Sequence, residues 1–162
     1  MLIREMDTSD IETVRLIAAD TWRDTYSSVI PADIQEKILA EAYSEELMEH
    51  RFKSSITLVA VFDEKIVGYA FLSCDKLGKD VYLESLYVHP NHQGKGAGKK
   101  LLLAGLSMFS EPITVSLTVY KGNPNLLFYE SLGFKESKET KGDFKGHPVT
   151  FILMKKDLKS LE

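Results

Sequence analysis

The chain holds one cysteine in 162 residues. Cys74 therefore has no partner for an internal disulfide, and a reducing compartment is expected. No apolar run approaches the ~20 residues that cross a bilayer. Arg4, Glu5, Asp7 and Asp10 interrupt the stretch where a signal peptide would need its apolar segment. The expectation is a cytoplasmic protein that uses no membrane. An excess of positive charge is missing too: 20 Lys and Arg stand against 24 Asp and Glu, for a net charge of −4. That balance argues against a general nucleic-acid binder. Repeats, low-complexity tracts and linkers are also absent, so residues 1–162 are expected to form a single domain. At 44% hydrophobic residues the chain has material for a core that needs no staples.

The charge is unevenly spread. Residues 1–52 carry 12 acidic and 5 basic side chains, and residues 53–162 carry 12 and 15. Solvated helix faces account for most individual charges, yet the two segments would attract different ligands.

Periodicity divides the chain into elements. Leu2–Met6 alternates as a short strand. Thr8 or Ser9 is placed to cap a helix whose apolar face carries Ile11, Val14, Ile17 and Ala18, extended by Trp22 and Tyr26. Pro31 opens a second helix, and a third runs from Ser44 to about Phe52. Ile56–Phe62 and Ile66–Ser73 form a hairpin around Asp63-Glu64-Lys65, followed by a strand over Val81–Val88. A helix follows with Ala97, Leu101, Ala104 and Met108 on one stripe. Ile113–Val119 is a strand, Asn125–Leu132 a short helix, and the regions near Phe134–Lys138 and His147–Lys155 a closing pair of strands. The order implies a single α/β or α+β domain.

The informative segment joins the third helix-free strand to the next helix: Leu83-Glu84-Ser85-Leu86-Tyr87-Val88-His89-Pro90-Asn91-His92-Gln93-Gly94-Lys95-Gly96-Ala97-Gly98-Lys99-Lys100. A glycine-rich turn aims several N–H groups into one concavity, and the helix N-terminus adds partial positive charge. Without Cβ atoms the backbone can approach a diphosphate closely. Two familiar phosphate loops fail here. A P-loop would need glycine at Gln93 and Ser or Thr at Lys100, and a dinucleotide fingerprint would need its last glycine one residue later than Gly98.

The run Gln93-Gly94-Lys95-Gly96-Ala97-Gly98 matches the Gln/Arg-x-x-Gly-x-Gly/Ala signature of the GNAT superfamily of acetyl-CoA-dependent N-acetyltransferases. A second stretch, Asn123-Pro124-Asn125-Leu126-Leu127-Phe128-Tyr129-Glu130-Ser131-Leu132-Gly133-Phe134, resembles another feature of that family, with a spacer after Asn123 one residue shorter than usual. The resemblance spans about Leu2 to Leu158. It implies a GNAT-like mixed, mostly antiparallel seven-stranded sheet, flanked by helices and splayed between its fourth and fifth strands. Acetyl-CoA would enter that wedge. Leu86, Tyr87 and Val88 would hold its pantetheine arm, Gln93, Gly94, Lys95, Gly96, Ala97, Gly98 and Lys99 its diphosphate, and Asn123 and Tyr129 would complete the coenzyme site.

Attack of an amine on a thioester needs a base, an oxyanion donor and help for the leaving thiolate. Glu84 is the candidate base, directly or through a water chain. Strand alternation would place Tyr82, Glu84, Leu86 and Val88 on one face, among apolar neighbours that desolvate the carboxylate. The position is similar to one at which some polyamine acetyltransferases carry glutamate. By the same resemblance the Val88 N–H is the oxyanion donor and Tyr129 the acid, or hydrogen-bond donor, to the coenzyme sulfur. Trp22 and Tyr26 resemble an acceptor-lining pattern, with core packing as the alternative. His89 and His92 have no acidic or cysteine companions to complete a metal site, so no metal is expected. A small cationic amine such as a polyamine is the expected acceptor. A non-catalytic acyl-CoA-binding module and an N-terminal protein acetyltransferase are the alternatives, and the chain could work as monomer or homodimer.

Overall fold

The computed structural model describes residues 1–158. The last four positions of the expected single domain lie outside the described residues. The strands are β1 (Leu2–Glu5), β2 (Ile56–Phe62), β3 (Lys65–Cys74), β4 (Asp80–Val88), β5 (Thr114–Tyr120), β6 (Lys135–Phe144) and β7 (His147–Asp157). They form one sheet in the order β1-β2-β3-β4-β5-β7-β6. Every neighbouring pair is antiparallel except β4 and β5. The helices are α1 (Ile11–Tyr26), α2 (Ala32–Ala42), α3 (Glu45–Ser54), α4 (Ala97–Leu106) and α5 (Leu126–Ser131).

Alternation along the strands sorts the core into two faces. Val59, Tyr69 and Phe71 pack with Val14, Ile17 and Ala18 of α1 and Met48 of α3. Leu58, Ala60, Ala70 and Leu72 pack with Leu101 and Leu102 of α4 and with Tyr129 of α5. Full burial of Leu101 and Leu102 contributes about 1.5–3 kcal/mol each. Gly105 lets α4 lie close to β3, since a Cβ there would sit 2.6 Å from a Leu72 methyl.

The structure revises several expected boundaries. The entry to α1 is capped by Asp7, not by Thr8 or Ser9. The Asp7 carboxylate accepts the Ser9 N–H, the Asp10 carboxylate accepts the Asp7 N–H at 2.8 Å, and Arg4 grips Asp10 at 2.8 and 3.0 Å. The two carboxylates make a reciprocal capping box, with Asp10 fixed in place by Arg4. α4 ends at Leu106, which leaves Met108 beyond the helix and exposed. β6 runs to Phe144 rather than Lys138. It is an edge strand exposed along nearly its whole length, so its sequence carries no apolar alternation to mark it.

β4 and β5 pair only from Asp80↔Thr114 to Tyr82↔Ser116. Beyond that point the strands part, as the resemblance implied, and the gap opens toward Val88.

Candidate active site

β4 contains a bulge where the gap begins. Leu72 of β3 opposes Leu83 and Phe71 opposes Ser85, which leaves Glu84 as the extra residue. One inserted residue reverses the alternation that follows it. Leu83 and Leu86 therefore face the same α4 side, together with Val88, while Tyr87 packs with Trp22 and Tyr26 on the other. The expected common face of Tyr82, Glu84, Leu86 and Val88 is thus corrected. Glu84 belongs to the surface that carries Tyr87 and faces α1, and Leu86 and Val88 to the opposite one.

The bulge leaves the backbone equally well placed. The His89 N–H donates to Val67 O of β3 at 2.8 Å. Successive N–H groups of a strand point to opposite edges, so those of Val88 and Leu86 point away from β3 into the gap. Gln93 Nε2 donates to Val88 O at 3.1 Å and holds the end of the strand.

A cavity of about 310 Å³ lies on this side of the gap. It is lined by Leu86, Tyr87, Val88, Gln93, Gly94, Gly96, Ala97, Gly98, Lys99 and Tyr129. Gly94 and Gly96 have φ of 83° and 82°, the left-handed region that favours glycine. A Cβ at either would meet no atom within 4 Å, so both face open space. Gly96 is also the N-cap of α4, whose first-turn N–H groups lack intrahelical partners. This cradle fits the phosphates of an extended anionic carrier. Lys95 and Asn123 lie off the cavity lining. The Lys95 ammonium sits 4.6 Å from the Phe62 ring centre. Thr21, Thr25, Asn125 and Phe128 line the cavity without having been expected there. The one available signal was the four-residue step from Thr21 to Thr25, in phase with Trp22 and Tyr26.

Across β4 lies a second cavity of about 250 Å³, walled by Trp22, Tyr26, Tyr43, Tyr87, Tyr120 and Phe144. The rings meet edge to face: Trp22 and Tyr26 at 4.8 Å, Tyr26 and Tyr120 at 4.6 Å, Tyr120 and Phe144 at 4.7 Å. Trp22 and Tyr26 thus pack in a core cluster and line the chamber at once. Glu84 is the one carboxylate in this lining among the described residues, and Arg51 of α3 reaches it at 2.8 Å. The acidic excess of residues 1–52 goes elsewhere. Glu12, Asp20 and Glu49 pair with basic residues on their own helices, and Glu41 pairs with Lys145.

A pocket of about 40 Å³ bridges the two cavities, lined by Tyr26, Glu84, Ser85, Asn123 and Tyr129 among others. That volume admits about one water, which wants two or more polar partners. Asn123 is buried; its Nδ2 donates to the Tyr26 hydroxyl at 3.0 Å and its Oδ1 accepts the Asn125 N–H at 2.8 Å. Tyr129 is nearly buried, and no group among the described residues hydrogen-bonds its hydroxyl. Burial pushes its phenol well above the ordinary value of about 10. The same desolvation raises Tyr26. His89 is fixed as a loop cap: its Nδ1 accepts the Asn91 N–H and its Nε2 contacts Asp20 at 2.9 Å.

A glycine cradle that fits phosphates lies on one side of a parted sheet and an aromatic chamber on the other. A family profile for the acetyltransferase (GNAT) domain matches residues 6–158, and the chain belongs to that family. It is an acetyl-CoA-dependent N-acetyltransferase. It is 29% identical over 139 residues to the uncharacterized N-acetyltransferase YuaI of Bacillus subtilis, covering 80% of this chain and 77% of that one. It is 26% identical over 151 residues to a spermidine N(1)-acetyltransferase of Thermoplasma acidophilum, covering 88% and 92%. The crystal structure of the PaiA N-acetyltransferase of Thermoplasma acidophilum in complex with coenzyme A superposes with a TM-score of 0.83 at 25% identity, covering 96% of this chain and 98% of that one. No described helix is long and apolar enough to cross a membrane.

Proposed function

We propose that the enzyme acetylates a small cationic amine of the polyamine class. The observation that carries this reading is the aromatic chamber with Glu84 at its inner end. Ring faces attract an alkylammonium by about 0.5–2 kcal/mol each, more as water is excluded. The similarity to a spermidine acetyltransferase points the same way.

The roles follow from position. The cradle of Gly94, Gly96 and the α4 N-terminus takes the diphosphate of acetyl-CoA, with Lys99 beside it, and the edge of β4 at Leu86–Val88 takes the pantetheine arm. An alkylamine of pKa about 10.4 arrives protonated. Glu84 removes that proton, with the small bridging pocket holding a water between base and amine when the reach is long. The Val88 N–H meets the oxygen on which charge develops. The Tyr129 hydroxyl, without a hydrogen-bond partner among the described residues, donates to the departing sulfur. Its raised pKa suits hydrogen bonding to a thiolate rather than full proton transfer.

The test compares spermidine with an uncharged arylamine of similar size, following thiol release from acetyl-CoA. Spermidine should have the higher kcat/KM. A clear preference for the arylamine would overturn the acceptor class and leave the acetyltransferase standing.

A further inference from the structure

Glu84 is an unusual place for a base to be held still. As the extra residue of a bulge it has no cross-strand neighbour to lock its side chain. Its fixation comes from Arg51. The Arg51 Nε–H donates to Oε1 at 2.9 Å, and Nη2 of the same guanidinium lies 2.8 Å from that oxygen as an ion-pair contact. The guanidinium is itself anchored. Nη1 donates to Ala42 O at 2.5 Å, and the group lies 5.3 Å from the Tyr43 ring centre and 4.8 Å from that of Phe71. The Arg51 side chain is 9% exposed and that of Glu84 35%. Oε2 carries no hydrogen bond among the described residues.

We propose that Arg51 is a positioning residue for the reaction. It clamps one oxygen of Glu84 from the α3 side so that the other stays turned to the acceptor amine. Its charge also makes the chamber neutral, which leaves recognition of a cation to the aromatic walls. This rests on the reading of Glu84 as the base. Two consequences separate the clamp from a plain structural contact. Loss of Arg51 lowers kcat, because a displaced base acts poorly. It also lowers KM for spermidine, because an unpaired carboxylate then attracts the ammonium. Damage to the chamber would raise KM instead.

The experiment is a double-mutant cycle of Arg51→Met and Glu84→Gln in the full chain, with acetyl-CoA and spermidine and with the melting temperature recorded. Glu84→Gln should lower kcat by about 10²-fold or more, the usual span for a general base. Arg51→Met should lower it about 10- to 100-fold, as misplacement of a reacting group does. In the Glu84→Gln background the same substitution should change kcat less than about twofold, since coupled residues are not additive. If Arg51→Met does not fold, Arg51→Lys completes the cycle, because an ammonium cannot reproduce the planar fork that holds Glu84 and Ala42 O at once. Full multiplication of the two losses, or a raised KM, overturns the clamp and leaves Glu84 as base. Wild-type kcat in Glu84→Gln overturns both.

Discussion

Replacing Tyr129 by Phe isolates one hydroxyl. The ring keeps its contacts, 5.2 Å to the Phe128 ring and 5.8 Å to that of Phe134. The hydroxyl has no protein partner among the described residues, so no buried group is orphaned by its removal. Stability should therefore change by less than about 0.5 kcal/mol, within the range of uneventful substitutions. Catalysis should respond differently. A hydrogen bond to a charged group is worth about 1.5–3 kcal/mol, and each 1.36 kcal/mol is about tenfold in rate. The expected loss in kcat is thus about 10- to 150-fold, with the affinity for acetyl-CoA nearly unchanged because the bond strengthens only as thiolate forms. Full transfer from an ordinary phenol, pKa about 10, to a thiolate, about 8.5, already costs about 2 kcal/mol. Burial of Tyr129 adds to that cost. Steady-state kinetics with calorimetric titration of acetyl-CoA decide the matter. A variant with wild-type kcat would show that Tyr129 is packing, and an equal loss in affinity and in turnover would show that it binds the ground state.

Three further outcomes are expected. Gly96→Ala should weaken acetyl-CoA binding at least tenfold by calorimetry, whereas Gly78→Ala, with a similar φ of 70° away from the cleft, should cost comparable stability (about 1 kcal/mol) and leave binding intact. Asn123→Ala removes buried bonds to Tyr26 and Asn125 and should lower stability by about 1–3 kcal/mol, or roughly 2–12 °C in Tm by thermal denaturation. Burial raises the pKa of Tyr26, Tyr43, Tyr69, Tyr87, Tyr120 and Tyr129. The unfolded chain ionises these phenols first, so stability is intact below about pH 10 and falls above it; apart from the exposed Tyr82, phenolate absorbance should rise together with loss of structure, and ionisation of more than one tyrosine in the intact fold would refute the assignment.

The glycine cradle of the candidate site was legible because its pattern is local. A strand, alternating glycines and a helix start are contiguous from Leu83 to Lys100, and a cradle of backbone groups needs only that order. The aromatic chamber draws on distant segments. Arg51 comes from α3, Tyr120 from β5, and Phe144 from the end of an edge strand with no apolar period. No spacing links them, and only the sheet order places β6 and β7 beyond β5. The charge asymmetry of the first 52 residues was real in sequence, but none of its carboxylates lines the aromatic chamber, and four of them pair along helix surfaces or with Lys145. Charge counted over a segment carries no direction, whereas a chamber responds to the few groups that point into it.

The bulge at Glu84 explains why one strand can serve both compartments. With unbroken alternation from Leu83, Leu86 and Val88 would share the face of Glu84, and Tyr87 would turn to the α4 side. One inserted residue instead turns Leu86 and Val88 to the α4 side and Tyr87 to the face of Glu84, Trp22 and Tyr26. The backbone is not turned in the same way, because N–H groups lie in the plane of the sheet and side chains across it. Past the bulge, the Leu86 and Val88 N–H groups point into the gap that β5 has vacated. Five consecutive residues, Glu84 to Val88, then offer a carboxylate to one compartment and amide donors to the other. The sheet parts just after Tyr82. Had β5 stayed paired for another turn of the pleat, its carbonyls would occupy those donors. The opening of the sheet and the availability of these amide donors are therefore the same structural event.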